Sequence, residues 1–186
     1  LMHLIQTFHQ SGVLGFWGSD IDGGSTDNCG IALREITGQF ITCADAPSKD
    51  IVFRVVDKYG NESTEIISVN VIDTVRPLIT VQNATIVIDT SGKAMLDKSQ
   101  VVVVFSDNCG VDTITLSKDE FDLSNVGLNN VDVTITDKSS NATTKTVEVT
   151  VIIGDADKDS IPDYVERNVD TDGDGTLDYL DIDSDN

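Results

Sequence analysis

The stretch VDVTIT at residues 131–136 alternates apolar and polar side chains without a break. The stretch VEVTV at residues 147–151 repeats that alternation a short distance further along the chain. Successive side chains of a β-strand point to opposite faces of the sheet, so a period of two gathers the apolar members on one face. Both stretches therefore predict strands with one face in a core and the other in water, which is typical of antiparallel sheets.

On either side of these two stretches, the same character extends over residues 78–152. Aromatic residues are scarce in the chain, and Val, Ile and Thr are abundant, which favours strands over helices. Turn-forming residues separate the apolar runs at 89–92, 107–110 and 137–141. So many short strands predict a small antiparallel β-sandwich. The predicted strands cover residues 78–81, 84–88, 101–105, 113–116, 131–136 and 146–152.

The middle of the chain repeats itself at an offset of 80 residues. Anchors that agree in one register predict two copies of a single domain. The matching segments are TDNCGI at 26–31 with SDNCGV at 106–111, VDK at 56–58 with TDK at 136–138, and SVNVI at 68–72 with EVTVI at 148–152.

The first copy is less complete than the second. Residues 21–24 read IDGG where the second copy has VVVV at 101–104. Two strands would fit before Asp20, at 4–8 and 13–17, although their sequences do not resemble the second copy. A sandwich that lacks a strand exposes an edge that another chain can fill. Strand exchange with a neighbouring repeat or subunit is therefore a hypothesis.

The charge of the chain is concentrated at its end. The formal net charge is −20, and residues 155–186 carry twelve acidic and two basic side chains. Such a protein repels nucleic acid and anionic membranes, and its natural small partner is a cation. The sequence contains no apolar run of 18 or more residues, so it predicts no membrane-spanning helix. Because the repeated pattern is cut off at the end, we expect the chain to be a fragment of a longer protein.

The acidic residues of this tail follow the spacing of a calcium loop. Ca²⁺ takes six to eight oxygen ligands, and carboxylates at the first, third, fifth, ninth and twelfth positions of a tight loop can wrap one ion. The seventh position supplies a backbone carbonyl. The predicted ligands are Asp155, Asp157, Asp159, Ile161, Asp163 and Glu166 in the first loop, Asp170, Asp172, Asp174, Thr176, Asp178 and Asp181 in the second, and Asp183 and Asp185 at the start of a third.

The loops differ at the sixth position, where the backbone must turn sharply. Gly175 meets that need in the second loop, whereas Ser160 stands there in the first, a departure that would weaken calcium binding. Mg²⁺ fits less well than Ca²⁺, because it retains water and rarely takes a cage made of protein groups. The alternative is a disordered acidic tail without a bound metal.

The segments DADKDSIPDYVE at 155–166 and DTDGDGTLDYLD at 170–181 resemble thrombospondin type 3 calcium repeats. These segments lack the long helices that flank the loops of an EF-hand pair. The resemblance covers the tail and implies calcium ions arranged along an aspartate-rich coil with little other core.

The DNCGI and DNCGV turns, each followed by a D-x-x-x-N turn and a closing V-x-V strand, resemble the Ig-like or HYR-type repeats of large bacterial surface proteins. That resemblance covers roughly residues 20–153. It implies tandem arrays in an extracellular adhesin or stalk, often beside thrombospondin type 3 repeats.

We therefore predict an all-β protein with two tandem Ig-like antiparallel β-sandwiches and an irregular, calcium-bound, Asp-rich tail. The predicted domains are residues 1–74, with an atypical N-terminal part, residues 75–154, and the truncated calcium repeats at 155–186.

Three cysteines bear on the compartment. Cys29 and Cys43 are close enough in sequence to pair, and a disulfide between them would imply an oxidising environment. Cys109 would then be unpaired and buried. The alternative is three reduced thiols.

Aspartates in the turns of the sandwiches leave two interpretations open. Asp20, Asp22 and Asp27 cluster before the first DNCG turn, and Asp57 and Asp137 begin matching turns. They could bind calcium at the ends of the sandwiches, or they could do no more than form the turns.

Catalysis finds no motif to support it. His3 and His9 are the only histidines, and no nucleophile elbow, phosphate loop or zinc spacing occurs. We predict a non-enzymatic segment of a stalk, adhesin or filament on a bacterial surface, which binds calcium, neighbouring repeats or subunits, and an unknown surface ligand. The alternatives are an accessory region of a secreted hydrolase, with carbohydrate as its ligand, and a calcium-dependent docking module.

Overall fold

The computed structural model describes residues 4–7, 13–15 and 17–182. These residues form mainly β-strands, joined by turns and a few single-turn helices, so the prediction of an all-β fold is confirmed. Packing divides them into two units. None of the helices in the described residues is long and apolar enough to cross a membrane.

The first unit consists of the described residues up to Pro77 together with the turns 107–111 and 137–141. Its strands form one sheet in the order β1-β6-β5-β3 and a two-stranded sheet of β2 with β4. The two strands expected before Asp20 are present as β1 and β2. The strands are β1 (Leu4–Thr7), β2 (Val13–Gly15), β3 (Ile31–Thr37), β4 (Phe40–Thr42), β5 (Ser48–Asp57) and β6 (Glu62–Ile72).

Alternation along β6 builds the core of this unit. Ile67, Val69 and Val71 are buried, whereas Ile66 and Ile72, on the opposite face, are exposed. The buried side chains belong to one core cluster with Ile36 of β3, Ile41 of β4, and Ile51 and Phe53 of β5. The first unit also contains two single-turn helices, α1 (Gly18–Ile21) and a 3₁₀ turn at Cys43–Asp45.

The second unit holds residues 78–106, 112–136 and the described part of 142–186. Its main sheet has the order β11-β13-β14-β8, and two smaller sheets pair β10 with β7 and β12 with β9. The strands are β7 (Leu78–Val81), β8 (Ala84–Ile88), β9 (Lys93–Met95), β10 (Val102–Ser106), β11 (Val111–Leu116), β12 (Glu120–Asp122), β13 (Gly127–Asp137) and β14 (Ala142–Ile153).

The alternation predicted for 131–136 and 147–151 is confirmed. Val131, Val133 and Ile135 on β13 are fully buried. On β14, Val147, which pairs with Val131, and Val149 are buried as well. Short helices punctuate this unit at α2 (Lys98–Val101), α3 (Asp163–Glu166) and 3₁₀ turns at Leu123–Asn125 and Asp178–Leu180.

Two strand pairs are parallel, which the expectation of purely antiparallel sheets did not include. β1 runs parallel to β6, and β8 runs parallel to β14. A parallel pair needs a long crossover between its strands. The strands that lie between each pair in the sequence supply that crossover.

The first copy has no counterpart of β10. Residues 22–26, at the equivalent position, form no strand. Asp22 organises a turn there instead, since its carboxylate accepts bonds from the backbone N–H groups of Gly24 and Ser25.

The prediction of a Cys29–Cys43 disulfide is wrong. Cys43 is bonded to Cys109, and Cys29 is free and exposed. Proximity in space decides the pairing. The turn 107–111 packs in the first unit, where the Cα atoms of Cys43 and Cys109 lie 5.4 Å apart, although 66 positions separate them in the sequence. In the chain-entropy description, a closed loop of that length contributes about 4 kcal/mol to stability.

Candidate calcium-binding loops

The first acidic loop brings its alternating aspartates together. Asp155, Asp157 and Asp159 each offer a carboxylate oxygen within 4.8 Å of those of the other two. Oxygens bound to one Ca²⁺ at 2.3–2.6 Å can be no more than about 5 Å apart. This group therefore has the spacing that a shared calcium ion requires.

Local hydrogen bonds hold this loop in shape. The N–H of Lys158 donates to Asp155, that of Asp159 to Asp157, and that of Ile161 to Asp159. Lys158 and Ser160 have φ angles of 66° and 85°, in the left-handed region. The predicted sharp turn at the sixth position is therefore made by Ser160, at a steric cost that a glycine would avoid.

Glu166 is the most informative residue of the loop. It lies at the end of α3, is 9% exposed, and neither oxygen of its carboxylate has a hydrogen-bond partner. Burial, and after it the negative charges of Asp157, Asp159, Asp163 and Asp155, together raise the pKa of Glu166 to about 7. A buried, unpartnered carboxylate beside other carboxylates is costly unless a cation joins the cluster. The donor set thus fits a calcium ion.

Asp163 performs a different task from the three alternating aspartates. Its Oδ1 accepts the N–H of Ala156 at 2.7 Å, and its own N–H donates to the carbonyl of Gly154. The space beside Gly154 is filled, because a Cβ there would lie 2.5 Å from Asp163 Oδ2 and 3.0 Å from the carbonyl oxygen of Ile88. Asp163 therefore fastens the loop to the end of β14.

The second loop reproduces the first at an offset of 15 residues. Asp170, Asp172 and Asp174 form a group with the same spacing of oxygens, although all three are exposed. Asp178 repeats the fastening by Asp163, since its Oδ1 accepts the N–H of Thr171 and its Oδ2 accepts the Thr171 hydroxyl. Gly175 has a φ of 100° and occupies the sharp turn as the sequence predicts.

The roles of the remaining predicted ligands stay predictions. Ile161 and Thr176 lie in equivalent places, and each donates its N–H to the aspartate two positions before it. The binding of calcium by their backbone carbonyls stays a prediction. Asp181 follows the 3₁₀ turn at Asp178–Leu180. Asp183 and Asp185 lie outside the described residues.

The turn aspartates of the sandwiches mostly form turns. Asp57 accepts bonds from the N–H of Tyr59 and from the N–H and side chain of Asn61. The Asn61 side chain is the largest of the causes that lower the pKa of Asp57. Asp27 likewise accepts the N–H of Cys29.

The sequence raised Asp137 as a candidate calcium ligand but did not reveal the acidic group to which it belongs. Asp73, Asp107 and Asp137 bring carboxylate oxygens within 4.8 Å of one another. Asp73 lies 34 and 64 positions away from the other two, so no local spacing reveals the group. The repeated turns containing Asp107 and Asp137 were the only signal available.

Comparisons with known proteins give no family. No protein-family model and no curated protein matches the chain. Among solved structures, it is similar to protocadherin gamma C5 EC1-3, at 13% identity over 83% of this chain and 66% of that one, with a TM-score of 0.36. It is also similar to the fibronectin(III)-like modules of Clostridium thermocellum CbhA, at 15% identity over 69% of this chain and 82% of that one, with a TM-score of 0.30.

A third similar structure is human protocadherin-24 EC1-2, at 13% identity over 82% of this chain and 94% of that one, with a TM-score of 0.35. The chain spans just under two thirds of the length of the protocadherin gamma C5 structure. Likenesses at these scores carry no argument about function.

Proposed function

We propose that this chain is a calcium-stabilised structural segment of an extracellular protein, a stalk, adhesin or filament of a bacterial surface. The observation that supports it best is Glu166, whose two carboxylate oxygens are buried without a hydrogen-bond partner and experience the negative charges of Asp155, Asp157 and Asp159. Calcium would neutralise this group and the equivalent group in the second loop. The tail would then be rigid only in the presence of the ion.

The disulfide supports the extracellular setting. Stable disulfides form in secreted and surface proteins and are rare where thiols are kept reduced. The Cys43–Cys109 bond is built into the first unit, and the pairing joins distant parts of the sequence. Bacterial origin rests on the resemblance of the DNCG repeats alone.

The tandem β-units support a structural role rather than a catalytic one. A repeated domain can be added in series without a new active site. In the first copy the place of β10 holds a turn, which leaves room for a strand from a neighbouring repeat or subunit.

The test is a calcium titration by isothermal calorimetry, with thermal melts in calcium and in chelator. We expect at least one ion for each tail loop and a higher melting temperature in calcium. Asp157→Asn combined with Asp172→Asn should remove those ions. Asp112→Asn, which removes one charge from an exposed position of β11, is the control. Absence of binding at millimolar calcium would refute the proposal.

A further inference from the structure

We infer that Asp73, Asp107, Asn108 and Asp137 form an additional calcium site in the first unit, separate from the two tail loops. The three aspartates each offer a carboxylate oxygen within 4.8 Å of the others. That separation allows all three to touch one ion at calcium–oxygen distances. The site goes beyond the proposed function, because none of its ligands belongs to the tail.

Buried oxygens without partners point to a missing ligand. Asp73 is only 9% exposed, and its Oδ2 has no hydrogen-bond partner. Asp107 Oδ2 and Asn108 Oδ1 are also buried and unpartnered. Native proteins rarely leave such atoms unsatisfied, because a buried polar atom without a partner loses the hydrogen bonds that it would make with water. One cation at this place would satisfy several of them together.

The other oxygens of these side chains fix the arrangement. Asp107 Oδ1 accepts the N–H groups of Cys109 and Gly110. Asp73 Oδ1 accepts hydrogen bonds from the backbone N–H of Val75 and from the side-chain amide of Asn108. In both aspartates one oxygen holds the turn while the second remains for a ligand.

Asp137 is held from several directions. It is 2% exposed, its Oδ1 accepts the N–H groups of Ser139 and Asn141, and its Oδ2 accepts the Asn141 side chain. The Asn141 side chain also donates to the carbonyl of Asp73. A carboxylate oxygen has room for a metal in addition to one donor. The three acidic side chains are therefore positioned before any ion arrives.

The disulfide adds to this preorganisation. Cys109 follows Asp107 and Asn108 in the turn and is bonded to Cys43. The bond keeps the turn in the first unit when the aspartates repel one another. Preorganised ligands bind more tightly, because less conformational freedom is lost on binding.

Within the described residues, no basic side chain forms an ion pair with this group. The ion pairs there involve Arg34, Lys49 and Arg54, and none of them includes one of the three aspartates. Lys138 lines the same cavity as Asp73, with a volume of about 380 Å³, but it makes no ion pair with them.

The donor atoms select the metal. Carboxylates and an amide oxygen are hard ligands, which suit Ca²⁺ and Mg²⁺ and not metals that prefer sulfur or imidazole. Calcium tolerates irregular geometry, whereas Mg²⁺ demands a near-ideal octahedron. The irregular set of turn residues therefore favours calcium.

The first copy supplies a control for the loss of a turn carboxylate outside the site. Asp27 and Asp57 occupy the positions equivalent to Asp107 and Asp137, at the same offset of 80. Among the described residues, no third carboxylate joins them in a metal-sized group. Asp57→Asn thus removes the corresponding turn aspartate where we infer no ion.

The first experiment is a calcium titration of the full chain by ¹H–¹⁵N NMR in excess magnesium. We expect the amide signals of Cys109, Gly110 and Ser139 to shift in the wild type. The same signals should shift equally in the double variant Asp157→Asn/Asp172→Asn, whose tail loops have each lost one calcium ligand. The test therefore reports on this site even if the tail loops bind no calcium. If these amides do not respond at millimolar calcium in the wild type, the inference is overturned.

The second experiment compares the melting temperature of Asp73→Asn with that of Asp57→Asn. In calcium, we expect Asp73→Asn to melt below the wild type, since one ligand is lost. In chelator, it should melt at or above the wild type, because one of three repelling charges is gone. Equal destabilisation in both conditions would show a purely structural role and overturn the inference. For Asp57→Asn, we expect the difference in melting temperature from the wild type to have the same sign in calcium and in chelator.

Discussion

At the scale of single residues, the chain repeatedly uses one carboxylate oxygen to hold a turn. Asp22, Asp57, Asp107 and Asp155 all accept backbone N–H groups a few positions ahead of them. Aspartate suits this task because its short side chain reaches its own backbone. Glu166 differs, since its longer side chain enters a cluster of negative charge and finds no donor.

Glu166→Gln tests this difference directly. The substitution keeps the size of the side chain and removes one charged ligand, so we expect calcium to bind the first loop about tenfold more weakly, or more. Calorimetry measures the affinity. Glu65→Gln, at an exposed position of β6, should bind calcium like the wild type. Equal affinities in all three proteins would exclude Glu166 from the site.

The hydrogen bonds of Asp22 indicate how the stability of the fold depends on acid pH. Bonds from the hydroxyl and N–H of Ser25, and then from Arg34, hold its pKa far below the ordinary value of 3.8. A lowered pKa gives stability that is present above the unfolded value and is lost as the pH falls through the folded value.

We therefore expect the free energy of unfolding to fall from roughly pH 4 downward, and to fall less steeply in Asp22→Asn. Urea unfolding at several pH values measures this, with Asp112→Asn as a control for charge. An identical acid limb in wild type and Asp22→Asn would contradict the assignment.

At the scale of elements, burial along each long strand follows its alternation. Ile135 on β13 is fully buried, whereas Ile152 on β14 is 42% exposed. The same residue type therefore occupies opposite environments on paired strands, and only its face differs. This parity makes the sheets of the second unit predictable from sequence.

Ile135→Ala should lower the free energy of unfolding by about 2–5 kcal/mol, because it removes apolar contacts and leaves a cavity. Ile152→Ala should cost much less, since water already reaches that side chain. Denaturant unfolding measures both. Similar losses in the two variants would contradict the assigned faces.

The tail loops and the strands could be predicted because their signals are local. Asp155, Asp157 and Asp159 reveal their loop by spacing alone, as Val131 and Val133 reveal their strand. The partner of Cys43 could not be predicted in this way, since proximity in space brings Cys109 to it. The acidic group of Asp73, Asp107 and Asp137 could not be predicted for the same reason, since folding brings Asp73 to the other two from a distant part of the sequence.

At the scale of the whole molecule, repulsion between negative charges destabilises the folded state. The net charge of −20 is spread over an acidic tail and several acidic turns. Like charges oppose a compact state, and both salt and bound cations relieve the repulsion. Calcium should be far more effective than salt, because it enters the clusters themselves.

Added salt should therefore raise the melting temperature of the protein in chelator and change it little in calcium. Scanning calorimetry over a series of potassium chloride concentrations, with and without calcium, measures this difference. Equal salt dependence in the two conditions would show that the carboxylate clusters are not where the repulsion acts.

The Cys43–Cys109 bond has a mechanical consequence for a chain that is pulled at its ends. Tension passes from Cys43 to Cys109 through the two sulfur atoms and bypasses the chain between them, whose ends are 66 positions apart. Fully drawn out, that chain would add roughly 220 Å to the length. While the bond is intact, β5 to β10 bear no load between their ends, so a protein anchored on a surface would yield by a short, bounded distance.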